Sequence, residues 1–389
     1  MAERLSLYAT TTRGTEPLLQ AELESLGAKK VKQDRGGVRF HANVYEIARI
    51  CLHSRIAMRI LMPLGEFEVH GAEGLYEATS TIEWETWLTR DSTLAVEATL
   101  KESEHNHSGF VALKIKDAVV DRLREKLGVR PDVDSHKPDV AIVAHLNKTT
   151  LTLSLDLCGE PLFKRGYRLQ STVAPLKETL AAAMLAAAKY DGELPLCDPM
   201  CGSGTLVLEA ALIATKRAPG LKRPFAMERW PSLIDTLAPI LLEARKEANA
   251  MIRPAPHPIV ARDYNEDALF AVRKNVGGAG LAGSIQIEEQ DALKGLPPDG
   301  LEGLVITNPP YGERIGSGGQ KGMKSFFYSL GEAFKYWPGW RLALLAGNPA
   351  FESAFHRKPS SRLDLWNGPI ECQLLMYEAR GLELPRSST

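Results

Sequence analysis

The segment Asp198-Pro199-Met200-Cys201-Gly202-Ser203-Gly204-Thr205 joins an acid to two closely spaced glycines and two small hydroxyl side chains. It follows a short apolar run and opens a helical pattern. Gly202 and Gly204 let the backbone turn sharply and come close to a ligand. Three ligand chemistries compete for such a loop. A Walker loop needs Gly-Lys-Ser/Thr, and no lysine follows Gly204. A dinucleotide fingerprint wants a third glycine where Val207 stands. S-adenosylmethionine has no phosphates. Its ammonium and ribose favour acidic and carbonyl groups, which Asp198 can supply.

A second acid is then expected at the end of the next strand, to hold ribose hydroxyls. Asp263, in Ala261-Arg262-Asp263-Tyr264-Asn265, fits that place. It lies much further on than the roughly 20 residues of the dinucleotide pattern, and an insertion at about 218–250 accounts for the gap. Asp291, after the third strand, is the natural partner for the adenine amino group. Each of these acids also reads as a helix cap or turn residue.

Asn308-Pro309-Pro310-Tyr311 ends the fourth strand, on the same sheet edge as the glycine loop. Ligands of open parallel sheets bind outside the carboxyl ends of the strands. Two prolines fix a rigid turn and offer no N–H, so the carbonyls of Asn308 and Pro309 can face a pocket. Two acceptors suit a planar –NH₂ group with its two donors. Tyr311 can stack on the ring that carries it. Asn308 is a poor general base, and methyl transfer to an amine needs none that is strong. In-line positioning supplies most of the rate. The bland alternative is an ordinary Pro-rich turn.

These loops need a sheet to hold them. From residue 172 onward short apolar strands alternate with helices: an alanine-rich helix at 177–189, strands at 194–197, 259–261, 285–288, 305–307 and 342–345, and helices from Thr205, from Glu266 and around 326–334. Such alternation predicts a parallel sheet flanked by helices. The segments 363–366 and 370–377, joined at Asn367-Gly368, predict a closing antiparallel hairpin. The first half reads differently, as α+β. Residues 1–62 give strand, helix, strand, helix, strand, with strands at 5–9, 38–40 and 55–61. Thr15 caps one helix, with Leu19, Leu23 and Leu26 on its apolar stripe and Gly27 as its stop. Asn43 and Glu46 open the other with a capping box. A strand at 94–100, a helix at 111–127 and a hairpin of 140–146 with 149–155, turning at Asn147-Lys148, complete this half.

The formal net charge of −1 announces no nucleic-acid partner. Residues 1–60 nevertheless carry ten Lys/Arg against six Asp/Glu, and basic clusters recur at Lys164, Arg165, Arg168 and at Lys216, Arg217, Lys222, Arg223. Such clusters form either a phosphate-facing surface or plain solvated faces. The five cysteines, Cys51, Cys158, Cys197, Cys201 and Cys372, have neither zinc spacing nor a disulfide framework. They suit a reducing cytoplasm, with no metal expected. A polar N-terminus and the absence of an apolar run of roughly 18 residues argue against a signal peptide and a membrane partner.

Asp198-Pro-Met-Cys-Gly-Ser-Gly-Thr205 together with Asn308-Pro-Pro-Tyr-Gly-Glu-Arg314 resembles the THUMP-domain rRNA guanine-N2 methyltransferase family, the large-subunit methyltransferase L type. His107-Ser108 with Lys114-Ile-Lys-Asp-Ala-Val-Val-Asp121 is similar to that family's THUMP RNA-binding domain. Arg165-Gly166-Tyr167-Arg168 and Ala174-Pro175-Leu176-Lys177-Glu178 resemble its linker and the helix after it. The resemblance implies a ferredoxin-like domain over 1–64, a THUMP domain over 65–160, a linker over 161–176 and a Rossmann-like, S-adenosylmethionine-dependent methyltransferase domain over 177–389. It implies cofactor contacts at Asp198, Gly202, Gly204, Asp263 and Asp291, and Pro199, Cys201, Ser203, Thr205 and Asn308 are expected to bind the cofactor with them. It implies amino-group recognition by Asn308, Pro309, Pro310 and Tyr311. The implied partner is structured RNA, 23S rRNA or a large-subunit precursor, with a tRNA target as the alternative. Some relatives carry a second methyltransferase domain, and one activity is expected here. Adenine or glutamine as acceptor, and an inactive RNA-binding assembly factor, are the remaining rivals.

Overall fold

The computed structural model describes residues 3–171, 175–298, 302–311 and 319–379. Ala174 and Gly312-Glu313-Arg314 of the resemblance lie outside the described residues. The chain divides into two compact units. One comprises residues 1–11, 20–162 and 223–247, the other 12–19, 163–222 and 248–389.

The first unit is built on β1 (Leu5–Thr10), α1 (Glu16–Ser25, whose first turn groups with the second unit), β2 (Lys29–Asp34), β3 (Gly37–Ala42), α2 (Val44–His53), β4 (Arg59–Glu68), α3 (Gly71–Ser80), β5 (Leu94–Lys101), α4 (Ser108–Leu127), β6 (Val140–Asn147) and β7 (Thr150–Asp156). Its strands form one sheet in the order β2-β3-β1-β4-β7-β6-β5, antiparallel except for the β5–β6 pair. The ten residues of β4 pair with β1 through Arg59, Ile60 and Leu61, and with β7 from Leu61 to Glu68. One strand therefore joins the 1–64 segment to the THUMP-like segment in a continuous sheet. The capping box forms as expected: Asn43 Oδ1 accepts from the Glu46 N–H at 3.0 Å, and Glu46 Oε2 accepts from the Asn43 N–H at 2.8 Å. Two elements, β2 and α3, have no counterpart in the sequence pattern. Lys-Lys-Val-Lys-Gln-Asp has no apolar alternation because β2 is a solvent-exposed edge strand paired only with β3.

The second unit contains α5 (Glu178–Ala187), β8 (Leu196–Asp198), α6 (Thr205–Ala214), β9 (Ile259–Asp263), α8 (Glu266–Ala279), β10 (Gln286–Glu289), β11 (Gly303–Thr307), α9 (Gly319–Ala333), β12 (Trp340–Ala346), α10 (Phe351–Phe355), β13 (Ser361–Asn367) and β14 (Ile370–Tyr377). The helix α7 (Ile234–Ala250) interrupts this run in sequence. The sheet order is β10-β9-β8-β11-β12-β14-β13. The first five strands are parallel, and β14 runs antiparallel to both β12 and β13. Order therefore spreads in both directions from β8. The β8/β11 boundary is the topological switch point, where open sheets bind ligands. Both anticipated hairpins form, with turns one residue later than expected. Asn147 pairs with Thr150, and Asn367 pairs with Ile370. The turns are thus Lys148-Thr149 and Gly368-Pro369, with φ of +55° at Lys148 and +63° at Gly368.

The insertion around 218–250 has a definite place that its sequence did not disclose. Residues 223–247 pack with the first unit. Arg223 donates to the carbonyls of Cys158, Glu160 and Pro161. Trp230 donates from Nε1 to the Asp139 carbonyl at 3.0 Å and meets Trp87 edge to face at 5.8 Å. The Arg229 guanidinium pairs with Asp139 at 2.9 Å. The basic clusters are likewise partly turned inward. Arg165 and Arg223 are buried, and Arg165 pairs with the fully buried Glu209. These arginines hold the fold and are not a phosphate-facing surface.

Candidate active site

The glycine loop leaves the buried carboxyl end of β8 and enters α6. Gly202 and Gly204 adopt φ of +53° and +85°, a region that costs an L-residue roughly 1–2 kcal/mol. A Cβ on Gly204 would also lie 3.1 Å from a Val272 methyl on α8. The loop's N–H groups are tied down in turn. Met200 donates to Asp198 Oδ1 at 3.2 Å, Cys201 to the Arg262 carbonyl at 2.9 Å, Gly202 to Asp263 Oδ2 at 2.9 Å, and Gly204 to the Cys201 carbonyl at 2.8 Å.

Asp263 thus ends its strand as anticipated and also clamps the loop. Its second oxygen accepts from the Asn265 N–H at 3.0 Å. Asp198 is nearly fully buried, and burial, with the charge of Asp263 adding to it, pushes its carboxyl up to about 7. Burial likewise drives the Cys201 thiol well above its usual range. Pro199 is buried beside it. The hydroxyls of Ser203 and Thr205 face a protein partner: each accepts from the Arg168 guanidinium, at 3.2 and 3.0 Å. Asp291 sits one strand further out. It is half-exposed, accepts from the Leu293 N–H at 2.9 Å and faces Lys294 at 3.8 Å.

The parallel register pairs Leu304 with Leu196 and Val305 with Cys197. The tetrapeptide that follows Thr307 therefore emerges beside the glycine loop. Pro309 is buried, while Asn308, Pro310 and Tyr311 are half-buried. Sequence reasoning assigns Tyr311 its ring and gives no task to its hydroxyl. In the structure the hydroxyl donates to Asn308 Oδ1 at 2.6 Å and receives Asn367 Nδ2 at 3.4 Å. The Tyr311 carbonyl accepts from Asn348 Nδ2 at 2.9 Å. A Cβ on Gly347 would come within 2.7 Å of the Tyr311 ring, so the glycine after β12 makes room for it. Gly347-Asn348 at the carboxyl end of a parallel strand was the signal available in the sequence.

The donor chemistry fits S-adenosylmethionine. The loop opens at two acids, and the Arg168 guanidinium beside it is paired with Glu178 at 2.8 Å. When bound, that cofactor supplies an electrophilic methyl group on a sulfonium.

Strand order and loop chemistry together define the class, a Rossmann-like methyltransferase that uses S-adenosylmethionine. Residues 165–376 match the RMKL-like methyltransferase domain, residues 70–156 the THUMP domain, and residues 6–61 the RlmL ferredoxin-like domain. The chain belongs to the RMKL-like methyltransferase family. It is 40% identical over 391 residues to the ribosomal RNA large subunit methyltransferase K/L of Syntrophotalea carbinolica, covering 96% of this chain and 53% of that protein. It is 36% identical over 373 residues to a putative RNA methyltransferase of Synechocystis, covering 95% and 96%. The chain thus spans about half the length of the K/L relatives it matches. Among solved structures, SMU.472, a putative methyltransferase complexed with S-adenosylhomocysteine, superposes with a TM-score of 0.87 at 29% identity, over 99% of this chain and all of that one. No described helix is long and apolar enough to cross a membrane.

Proposed function

We propose that the chain methylates the exocyclic N2 amino group of a guanosine in structured RNA, namely 23S rRNA of the large ribosomal subunit or its precursor, in the cytoplasm. The observation that carries this reading is the placement of Asn308-Pro-Pro-Tyr beside the glycine loop at the switch point, in a chain that also has a THUMP domain. The names of the K/L relatives supply the rRNA target. In this reading the domains follow the sequence expectation, ferredoxin-like over 1–64, THUMP over 65–160, a linker to 176 and the methyltransferase beyond, except that residues 223–247 group with the first unit.

The loop 198–205, Asp263 and Asp291 hold the cofactor. Asp263 reaches the ribose from the carboxylate that also fixes Gly202, and Asp291 serves the adenine amino group. Asn308 Oδ1 keeps one lone pair after accepting from Tyr311, and the prolyl carbonyls add further acceptors. These acceptors take the N–H donors of the target amine and direct its lone pair along the methyl–sulfur axis. The proton leaves after transfer, so no strong base is required. Tyr311 offers its ring to the base and its hydroxyl to Asn308.

Tritiated methyl incorporation by the purified chain tests the reading with large-subunit rRNA, precursor particles, tRNA, DNA and release factors as acceptors. Label in N2-methylguanosine from large-subunit rRNA is the expected result. Label in tRNA alone, in adenine or in protein overturns the substrate assignment.

A further inference from the structure

The linker residues 165–170 are built into the catalytic unit. Arg168 donates through all three of its nitrogens: from Nε to Glu178 Oε1 at 2.8 Å, from Nη2 to the Leu176 carbonyl and to Thr205 Oγ1, both at 3.0 Å, and from Nη1 to Ser203 Oγ at 3.2 Å. Two of these acceptors lie at the start of α5. The other two flank Gly204 in the cofactor loop.

Asn275, fully buried on α8, works from the other side. Its Oδ1 accepts from the Leu169 and Gln170 N–H groups at 2.8 and 2.9 Å. Its Nδ2 donates to the Gln170 and Ser203 carbonyls at 2.9 and 3.0 Å. The amide thus uses both donors and accepts two bonds, its full capacity. Steps of three along α8 keep the same helix face. Val272 on that face abuts Gly204, and a Cβ on Gly278 would come within 2.9 Å of the Tyr167 carbonyl. The linker, the loop and α8 therefore share one polar network, with Asn275 saturated at its centre, an arrangement that specifies a single geometry.

We propose that Arg168 and Asn275 form a clasp through which the linker sets the shape of the cofactor loop. Arg168 is then a positioning residue for S-adenosylmethionine that never touches the reacting atoms. The inference rests on the reading that loop 198–205 takes this cofactor. Coupling of this kind is reciprocal: the bound cofactor tightens the linker as much as the linker tightens the cofactor.

The full chain with S-adenosylhomocysteine as probe gives the test. Arg168→Lys keeps the charge opposite Glu178 but loses the planar fork. Calorimetry is expected to show Kd raised about tenfold, as for the loss of one or two charge-assisted bonds, with kcat at saturating cofactor within about twofold of wild type. In the unaltered chain, amide hydrogen exchange at Leu169 and Gln170 is expected to slow several-fold when the probe is added, and Asn275→Ala should abolish that response. Failure of the wild-type chain to bind the probe overturns the cofactor reading itself. Wild-type binding with an unchanged Kd in a folded Arg168→Lys variant overturns the clasp. So does unchanged exchange at Leu169 and Gln170 in the wild-type chain, a measurement that needs no variant to fold.

Discussion

Around Gly202, the loop after β8 is bonded from several directions. Four of its backbone N–H groups have protein acceptors, and its two hydroxyls are held by one arginine. Around Asn308, the described part of the loop after β11 is held mainly through side chains. Its prolines offer no N–H, and its described side-chain bonds include those linking Tyr311 to the asparagines at 308, 348 and 367 and to the Cys372 thiol. The first loop has its shape fixed by the protein and presents little beyond that shape. The second keeps acceptors in reserve. Damage to the first should therefore appear in cofactor affinity, and damage to the second in turnover.

Asn308→Ala is the sharpest probe of this division. Turnover should fall by about 10²–10³, the cost of one positioned polar contact in a dry site, while the Kd for S-adenosylhomocysteine stays within about twofold. Single-turnover methylation at saturating cofactor measures the first and calorimetry the second. Near-normal turnover in this variant would defeat the proposed mechanism.

Asp263→Ala attacks the other loop. Its carboxylate holds the Gly202 N–H as well as the expected ribose, so the probe should bind about 1.5–3 kcal/mol more weakly, as for charge-assisted hydrogen bonds. Unchanged affinity would remove Asp263 from the cofactor site and erase the contrast between the loops.

Tyr311→Phe comes next in size. From stacking alone the hydroxyl is dispensable, but its 2.6 Å bond to Asn308 Oδ1 makes it part of the positioning device. Turnover should fall about five- to tenfold, equivalent to roughly 1 kcal/mol for a neutral hydrogen bond, with cofactor affinity unaffected. A rate equal to wild type would leave Tyr311 its ring alone.

The smallest expected effect concerns Asp198. Its carboxyl is raised by burial to about 7 in the folded chain, against 3.8 for the exposed group. The folded state therefore binds the proton more tightly than the unfolded state. Stability from this group is fully present below about pH 4 and is lost as pH rises through about 7. Asp198→Asn should stabilise the cofactor-free chain more at pH 8 than at pH 6, by about 1 kcal/mol or a few degrees in Tm. Equal gains at both pH values in a thermal melt would show that Asp198 titrates as an ordinary exposed acid.

Much of the site was legible in local sequence because its signals are short-range. Two glycines that need positive φ, an acid closing each of two strands, and Asn-Pro-Pro-Tyr after a third all depend on backbone conformation within a few residues. The alternation of strand and helix likewise declares a parallel sheet, and the capping box at Asn43 and Glu46 is written in four consecutive positions. Other features came only from distant segments meeting. Asn275 reaches a loop carbonyl 72 residues earlier in the chain. Arg168, which the sequence offered as part of a basic cluster, pairs with Glu178 and donates further to the Leu176 carbonyl and to two loop hydroxyls. The Tyr311 hydroxyl finds Asn308 because Gly347, just past the end of the neighbouring strand, leaves room for the ring. Residues 223–247 join the first unit through Trp230, Arg223 and Arg229, whose partners lie far off in sequence. Backbone propensity acts over a turn or two and can be read along the chain. A buried polar group's partner is chosen by whichever segment the tertiary fold brings within hydrogen-bond reach, and no periodicity records that choice.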